Sequence, residues 1–244
     1  MGTWISHFRI AERLLEHLPD LDTPLFVLGN VAPDSGRPNA DWTSFDPPKT
    51  VTHFLNPGED EGRIRDLEFY RTWVRPLDRA DAARFSFVLG YFTHLVSDNL
   101  WMHLVGQPTQ RTFAAEFATD RSGTWERVKD DWYGLDHKYL RDQPDNVFAR
   151  WVVGTPNPAS PLPFLPTEAL ADRLDDLRTF YRAPEGFVLD RAYPYLSAET
   201  MDRVVEVSAE VILELLARLE AGEVPEEARV SLPVLDLPAP ARLP

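Results

Sequence analysis

The chain has 244 residues, of which 43% are hydrophobic and 11% aromatic, which is enough to bury a substantial core. It carries 25 basic and 39 acidic residues, a formal net charge of -14, so nucleic acid is not expected as a standing partner. The absence of cysteine excludes a disulfide framework and a thiolate metal site.

The N-terminal segment is charged at Arg9, Glu12, Arg13 and Glu16, so it lacks the apolar core of a signal peptide. No apolar run approaches the length that is needed to span a bilayer. These features predict a cytoplasmic protein without a transmembrane segment, and they leave the oligomeric state open.

Helical periodicity of the apolar residues predicts an all-α fold. The first helix is expected over residues 3–18, where Trp4, Phe8, Ala11 and Leu15 form one stripe. Further helices are expected over residues 59–73, 80–101, 125–140, 167–181 and 197–221. No segment of useful length shows the two-residue period of a strand.

We expect one helical domain over residues 1–244. Residues 1–154 hold the histidine-containing motifs, 155–166 form a proline-rich connector, and 167–222 form the C-terminal helices. Residues 223–244 are expected to form an extended tail that wraps the surface or is partly disordered.

The segment over residues 34–62 is rich in proline, aspartate and glycine and has little periodicity. A loop this long inside a compact domain is uncommon unless it builds a site. It carries Asp34, in the motif FVLGNVAPD, and His53, in TVTHF. We therefore expect this loop to contribute side chains to a site.

The most informative pair lies in GYFTHLVSDNLWMH, within the most apolar predicted helix. His94 and Asp98 are four residues apart, so both side chains leave one face of the helix and can reach one ion. A hydrogen bond between them would also satisfy two buried polar groups, and the pair alone does not decide between the two roles. With Asp34 and His53 from the loop, two histidines and two carboxylates suit zinc.

The remaining histidines are weaker candidates. His7 lies on the core side of the first helix, where a histidine is more often a core residue than a ligand. His103 is nine residues past His94 and joins the same site only if the helix ends or kinks near residues 99–101. Three more candidates lie in a stretch that fits a solvated helix face equally well: Asp130, Asp136 and His137.

Several other hydrolase and metal-site motifs are missing. The sequence contains no Glu-x-x-His pair of a di-iron bundle, no His-Asp dipeptide, no His-Glu-x-x-His, no Gly-x-Ser-x-Gly and no phosphate loop. These absences leave the separated histidines and aspartates as the candidate site.

The four motifs WISHFRIAERLL, FVLGNVAPD, THF and GYFTHLVSDNLWMH, in this order, resemble the zinc-dependent phospholipase C family over roughly residues 3–140. That resemblance implies the all-α fold of phospholipase C and the fungal single-strand nucleases, whose active site holds up to three zinc ions. It implies that Asp98 can bridge two ions, that His7 serves the bridged zinc and that His103 serves a second site. The ligands implied for the first zinc are Asp34, His53, His94 and Asp98.

The sequence departs from the secreted members of that family at two places. Those members use the amino group of an N-terminal tryptophan as a ligand, whereas Trp4 here follows three residues. They also use a His-x-x-x-Glu helix, whereas His137 is followed four residues on by Arg141, so Asp136, His137 or Asp130 would have to complete the second site. We expect one well-formed zinc site and a second, altered one that includes Asp136.

The resemblance implies hydrolysis of a small or lipid-like phosphoester. A bound zinc ion would polarise a phosphoryl oxygen and lower the pKa of bound water. Asp34 is the candidate catalytic residue that orients or deprotonates this water. The alternative is a structural zinc, closed by four protein ligands, that ties the long loop to the bundle in a non-catalytic binding protein.

Overall fold

The computed structural model of the protein describes residues 2–40, 44–59, 61–182, 184, 186–241 and 243. The described residues are mostly helical and include one pair of two-residue strands, which confirms the predicted all-α fold. The strands β1 (Arg37–Pro38) and β2 (Phe45–Asp46) are antiparallel. The α-helices are α1 (Trp4–Leu15), α2 (Thr23–Gly29), α3 (Lys49–Thr52), α4 (Asp66–Phe69), α5 (Ala82–Trp101), α6 (Gln107–Thr112), α7 (Ala114–Thr119), α8 (Arg121–Asp142), α9 (Thr167–Arg182) and α10 (Ala198–Glu220).

Helix α1 is amphipathic and begins at an N-cap. Thr3 Oγ1 accepts a hydrogen bond from Ser6 N at 3.3 Å, which satisfies one of the N–H groups that a helix start leaves free. The helix ends at Leu15, earlier than predicted, because the N–H of His17 bonds Leu14 O in a tight turn before the following proline. Its buried apolar face packs against α10, α2 and α5, and each large side chain contributes roughly 1.5–3 kcal/mol. That face comprises Ile5, Phe8, Ile10, Ala11 and Leu14.

Helix α2 packs against α5 with the two main chains almost in contact. A Cβ on Gly29 would lie 2.2 Å from Phe87 O, and a Cβ on Gly90 would lie 2.2 Å from Phe26 O. Only glycine therefore fits at these two positions without moving a main chain. This approach brings Asn30, at the C-terminal end of α2, beside the middle of α5.

Helix α5 is buried on all sides, since every residue from Ser86 to Trp101 is buried. Polar side chains on such a helix need internal partners. Thr93 and Ser97 donate to main-chain oxygens of α5 itself, Gly90 O at 2.9 Å and Thr93 O at 2.7 Å. The histidine and the aspartate of this helix instead face a group of side chains from other elements.

The predicted helices at residues 80–101, 125–140, 167–181 and 197–221 correspond to α5, α8, α9 and α10, with differences of up to four residues at their ends. The prediction of a helix over residues 59–73 is wrong for the first half of that range. Ile64 donates its N–H to Asn99 Oδ1 at 3.1 Å and accepts from Asn99 Nδ2 at 2.9 Å, which uses the main-chain groups that a helix would need. The α-helix begins only at Asp66 and continues as a π-helical segment, Tyr70–Val74.

Helix α2 and the short helices α3, α6 and α7 were not predicted. Between α5 and α6 the chain is π-helical over Met102–Gly106, so the helical path continues past the predicted end. Further π-helical and 3-10 segments are Phe148–Val152, Ala32–Asp34, Glu61–Arg63 and Leu232–Val234.

The described part of the C-terminal tail lies against α4 and the end of α5. Ser231 N donates to the buried carboxylate of Asp66 at 2.8 Å, and Asn99 Nδ2 donates to the same carboxylate at 2.9 Å. Farther along, Ala241 N donates to Leu104 O at 2.9 Å. Among the described residues, no helix is both long enough and apolar enough to cross a membrane.

Candidate metal centre

Five side chains that are far apart in sequence meet beside the middle of α5. His94 and Asp98 come from α5 itself, His7 from α1, His53 from the C-cap of α3, and Asp34 from the 3-10 turn after α2. Asp34 is 7% exposed, and the other four side chains are at most 1% exposed. We refer to these five residues as the His–Asp cluster.

Neighbouring nitrogen and oxygen atoms of the His–Asp cluster have the spacing of two ligands on a shared ion. Asp98 Oδ2 lies 3.3 Å from His94 Nε2 and 3.5 Å from His53 Nε2. Asp34 Oδ1 lies 3.4 Å from His53 Nε2, and Asp98 Oδ1 lies 3.3 Å from His7 Nε2. Two ligand atoms at about 2.0–2.2 Å from a tetrahedral zinc ion are about 3.3–3.6 Å apart. The observed separations match that geometry.

Four of these atoms make no hydrogen bond although they are buried: His7 Nε2, His53 Nε2, His94 Nε2 and Asp98 Oδ2. A buried polar atom without a partner costs about 1–3 kcal/mol, so several around one point are not expected of histidines that only fill a core. Two overlapping sets have ligand atoms within 4.8 Å of one another: His7, His94 and Asp98, and Asp34, His53 and His94. The donors present therefore fit a divalent metal ion of the zinc type.

The second ring nitrogens of two histidines are held by neighbouring groups. His94 Nδ1 lies 2.7 Å from Asn30 O; because a carbonyl only accepts, Nδ1 carries the proton and Nε2 of the neutral ring is free to bind a metal. His53 Nδ1 lies 3.0 Å from Thr52 Oγ1, and Tyr91 donates to Thr52 O at 2.5 Å. Both imidazoles are thus oriented with Nε2 toward the cluster.

Asp34 is held from two sides by side chains outside the cluster. Trp4 Nε1 donates to Asp34 Oδ2 at 2.8 Å, which leaves Oδ1 toward the histidine of α3. Arg173, on α9, donates from Nε to Asp34 O at 2.8 Å. The carboxylate and the main chain of Asp34 are therefore fixed by different partners.

The main chain before α1 also reaches the cluster. Gly2 N donates to Asp98 Oδ1 at 3.0 Å, on the same side as His7. A Cβ on Gly2 would lie 2.8 Å from Ser6 Oγ and 3.2 Å from His7 Nε2, so a larger residue would crowd this side. The ring of His7 stacks on that of His94, with centroids 4.0 Å apart.

The electrostatics keep both carboxylates of the cluster ionised. Burial alone raises the pKa of Asp34 and of Asp98, but the neighbouring imidazoles more than offset it, and both pKa values lie well below the usual range. Burial lowers the pKa of His7, and the neighbouring His94 lowers it further. The pKa of His94, which burial depresses, is raised overall by Asp98. The cluster thus holds two ionised carboxylates where a cation would bind.

A cavity of about 190 Å³ opens onto the cluster at Asp34 and His53. Its wall combines aromatic and cationic side chains, namely Trp4, Phe45, Tyr133, Lys49 and Arg173. A small anionic group in this cavity would lie next to the side of the cluster that Asp34 forms.

Two of the predicted metal ligands lie outside the cluster. The ring of His103 turns to the C-terminal tail, where Nε2 lies 3.0 Å from Pro238 O. The carboxylate of Asp136 accepts hydrogen bonds from Thr3 Oγ1 at 2.7 Å and from Tyr181 OH at 2.5 Å. Burial raises the pKa of Asp136 to about 7. Both side chains thus have partners other than the five residues of the cluster.

The alternatives for a second site have other surroundings as well. The ring of His137 lies among aromatic side chains, 4.6 Å from Phe187 and 5.2 Å from Phe180 between centroids, and burial lowers its pKa. Asp130 forms an ion pair with Arg191. Neither residue belongs to the two sets that could hold an ion in the described part of the chain.

The residues that support the cluster have no direct signal in the sequence. Asn30 acts through its main-chain oxygen, which any residue type supplies, and Thr52 is one threonine among many. Arg173 is 139 positions from Asp34 along the chain, so only the fold brings the two together. Trp4 was assigned to a core stripe, yet its N–H contacts Asp34.

A family model described as zinc dependent phospholipase C matches residues 6–134, a little over half of the chain, and this range includes all five residues of the His–Asp cluster. Comparison with curated proteins and with solved structures gives no significant match. The family and the buried donors together identify zinc as the cofactor. The chain therefore belongs to the zinc-dependent phospholipase C family.

Proposed function

We propose that this protein is a zinc-dependent phosphoester hydrolase whose active site is the His–Asp cluster. The observation that carries the proposal is the group of buried nitrogen and oxygen atoms in this cluster that make no hydrogen bond. Membership of the zinc-dependent phospholipase C family supports hydrolysis of phosphoesters as the reaction class. The adjoining cavity supplies room for a substrate.

In this proposal Asp34, His53, His94 and Asp98 would hold one zinc ion. His7 and Asp98 would hold a second ion, since His7 Nε2 and Asp98 Oδ1 lie 3.3 Å apart. This second site has fewer donors, because the predicted ligands His103 and Asp136 are hydrogen bonded elsewhere. We therefore expect the first ion to bind more tightly than the second.

Zinc bound here would polarise a phosphoryl oxygen and lower the pKa of bound water toward neutrality. Asp34 is the residue we assign to orient that water. Its carboxylate is ionised, lies at the border between the cluster and the cavity, and is kept in place by the N–H of Trp4. A water molecule between Asp34 and a phosphoryl group would be within reach of both.

The cavity favours a small or lipid-like phosphoester. Lys49 and Arg173 bring positive charge to its wall in a protein whose net charge is -14, so an anionic phosphoryl group is attracted locally. The aromatic walls, Trp4 and Phe45 among them, suit an apolar substituent. A volume of about 190 Å³ suits the headgroup end of a lipid better than the whole molecule.

The test is hydrolysis by the zinc-loaded protein and by Asp34→Asn, which preserves shape but removes the negative charge. Aryl phosphomonoesters, aryl phosphodiesters and a short-chain phospholipid serve as substrates. We expect the wild type to cleave at least one of them and Asp34→Asn to lose roughly 10²–10⁴-fold in kcat. The matched control is Asp172→Asn on α9, whose exposed carboxylate pairs with Arg37 and which should keep the full rate.

A structural zinc site is the second candidate, because a tetrahedral ion closed by four protein ligands keeps no open position for a substrate. The same experiment separates the two functions. A wild-type protein that retains zinc but cleaves none of the substrates, or an Asp34→Asn variant with the full rate, would support the structural role and overturn the hydrolase proposal.

A further inference from the structure

We propose that Arg173 is a positioning residue that fixes Asp34 at the edge of the His–Asp cluster. Arg173 lies on α9, outside the segment that matches the family, and nothing in the sequence motifs points to it. The kinetic part of this inference rests on the proposed function, whereas its effect on zinc affinity does not.

Arg173 forms hydrogen bonds with two main-chain oxygen atoms of the loop that carries Asp34. Its side chain is buried, and it donates from Nε to Asp34 O at 2.8 Å and from Nη2 to Gly36 O at 3.2 Å. A guanidinium presents its N–H groups in a planar fork, so two carbonyl oxygens bound to it are held in a fixed relation. The loop is thereby fixed on both sides of Ser35.

A second connection runs through Trp4. The guanidinium carbon of Arg173 lies 5.4 Å from the centroid of the Trp4 ring, in a cation–π arrangement. The N–H of the same ring donates to Asp34 Oδ2 at 2.8 Å. Arg173 therefore acts on the main chain of Asp34 directly and on its carboxylate through Trp4.

Asp34 needs such support more than the other three ligands proposed for the first ion. His94 and Asp98 stand on a long buried helix, and His53 caps a short one, whereas Asp34 ends a three-residue 3-10 turn before an irregular loop. Ligands on loops are placed less precisely than ligands on helices unless neighbouring residues hold them. Loss of an outer residue that orients a metal ligand typically costs about 10–100-fold in metal affinity or activity.

The competing explanation is that Arg173 only supplies positive charge to the cavity. Within the described part of the chain its ion-pair partner is Asp176, 3.9 Å away, so the guanidinium is engaged mainly by the two carbonyl oxygens. Lysine would keep the charge but lacks the planar fork. Arg173→Lys thus separates a role in positioning from a role in charge alone.

Arg178 offers a matched control on the same helix. It donates from Nε to Val152 O at 2.8 Å and from Nη2 to Thr155 O at 2.7 Å, so it also binds two main-chain oxygen atoms. It does not line the cavity beside the cluster. Substitution of Arg178 therefore removes two hydrogen bonds of the same kind from the protein without affecting Asp34.

The experiment compares full-length Arg173→Lys, Arg173→Gln, Arg178→Lys and Arg178→Gln with the wild type. Zinc affinity is measured by competition with a chelator, and the geometry of the site by the visible absorption spectrum of the cobalt-loaded protein. We expect both Arg173 variants to bind zinc about 10–100-fold more weakly and to change the cobalt spectrum, while the Arg178 variants keep both wild-type values. A wild-type zinc affinity together with a wild-type cobalt spectrum in Arg173→Lys would overturn the proposal.

The role of Arg173 stays testable if the wild type is inactive or if the Arg173 variants do not fold. If the wild type binds zinc but hydrolyses no substrate, the proposed function fails, and zinc affinity still decides the role of Arg173. If the Arg173 variants do not fold, Trp4→Phe removes the N–H that holds Asp34 Oδ2 and keeps an aromatic ring at this position. Weaker zinc binding in Trp4→Phe supports the positioning of Asp34 through this connection, and unchanged binding contradicts it.

Discussion

Replacement of His94 by alanine is expected to remove the part of the protein's stability that depends on zinc. His94 Nε2 faces Asp98 and His53, and its Nδ1 bonds Asn30 O at 2.7 Å. The substitution deletes one donor shared by both sets that could hold an ion. It also leaves the buried Asn30 carbonyl without this partner, which costs about 1–3 kcal/mol regardless of zinc.

The size of the zinc-dependent part follows from binding linkage. A ligand present at 100 times its Kd stabilises the folded protein by about 2.7 kcal/mol, and in a chain of this length 1 kcal/mol shifts the Tm by about 2–4 °C. Chelation should therefore lower the Tm of the wild type by about 5–11 °C under these conditions. In His94→Ala the same treatment should change the Tm by less than about 2 °C, because the variant no longer holds the ion.

The assay is thermal unfolding followed by circular dichroism, with zinc and then with excess chelator. His17→Ala is the control, since His17 is exposed and lies outside the cluster, and it should show the full chelator effect. A drop in Tm on chelation that is as large in His94→Ala as in the wild type would refute the reasoning.

Three other substitutions test separate parts of the account. Gly90→Ala should cost at least about 1–3 kcal/mol in urea unfolding, because its Cβ would lie 2.2 Å from Phe26 O; a neutral effect would contradict the close packing of α2 on α5. The pKa of Asp136, raised by burial to about 7, means that the folded protein binds this proton more tightly than the unfolded chain. Wild-type stability should then fall by up to about 4 kcal/mol between about pH 4 and pH 7, and Asp136→Asn should lose this contribution, so equal pH profiles in urea unfolding would contradict it. Ser231→Ala removes a bond to Asp66 and should speed tryptic cleavage at Arg229 without changing zinc affinity; unchanged cleavage would contradict the role of this contact in holding the tail.

The sequence was informative where the fold depends on local periodicity. Helices α8, α9 and α10 have apolar stripes long enough to be recognised, and their ends were predicted to within four residues. Helix α2 was not recognised, because its seven residues are too few for a 3.6-residue period to stand out from an apolar run. The start of α4 was misplaced because Asn99, 35 residues away, binds the main chain at Ile64.

The same distinction applies to the candidate site. The i, i+4 spacing of His94 and Asp98 on an apolar helix is visible in the sequence, and the loop partners Asp34 and His53 follow from motif order. The surroundings of His103 and Asp136 depend on contacts with Pro238 and Tyr181, far away along the chain. Such contacts leave no periodic signal, so the support that other segments give to the cluster emerges only from the fold.

The central claim is that the His–Asp cluster binds zinc, and the most direct measurement is anomalous diffraction at the zinc absorption edge from crystals of the zinc-loaded protein. We predict a peak about 2.0–2.2 Å from Nε2 of His53, Nε2 of His94 and an oxygen of Asp98. Zinc-loaded crystals with no anomalous peak at these three side chains, or with zinc bound only elsewhere on the chain, would contradict the claim.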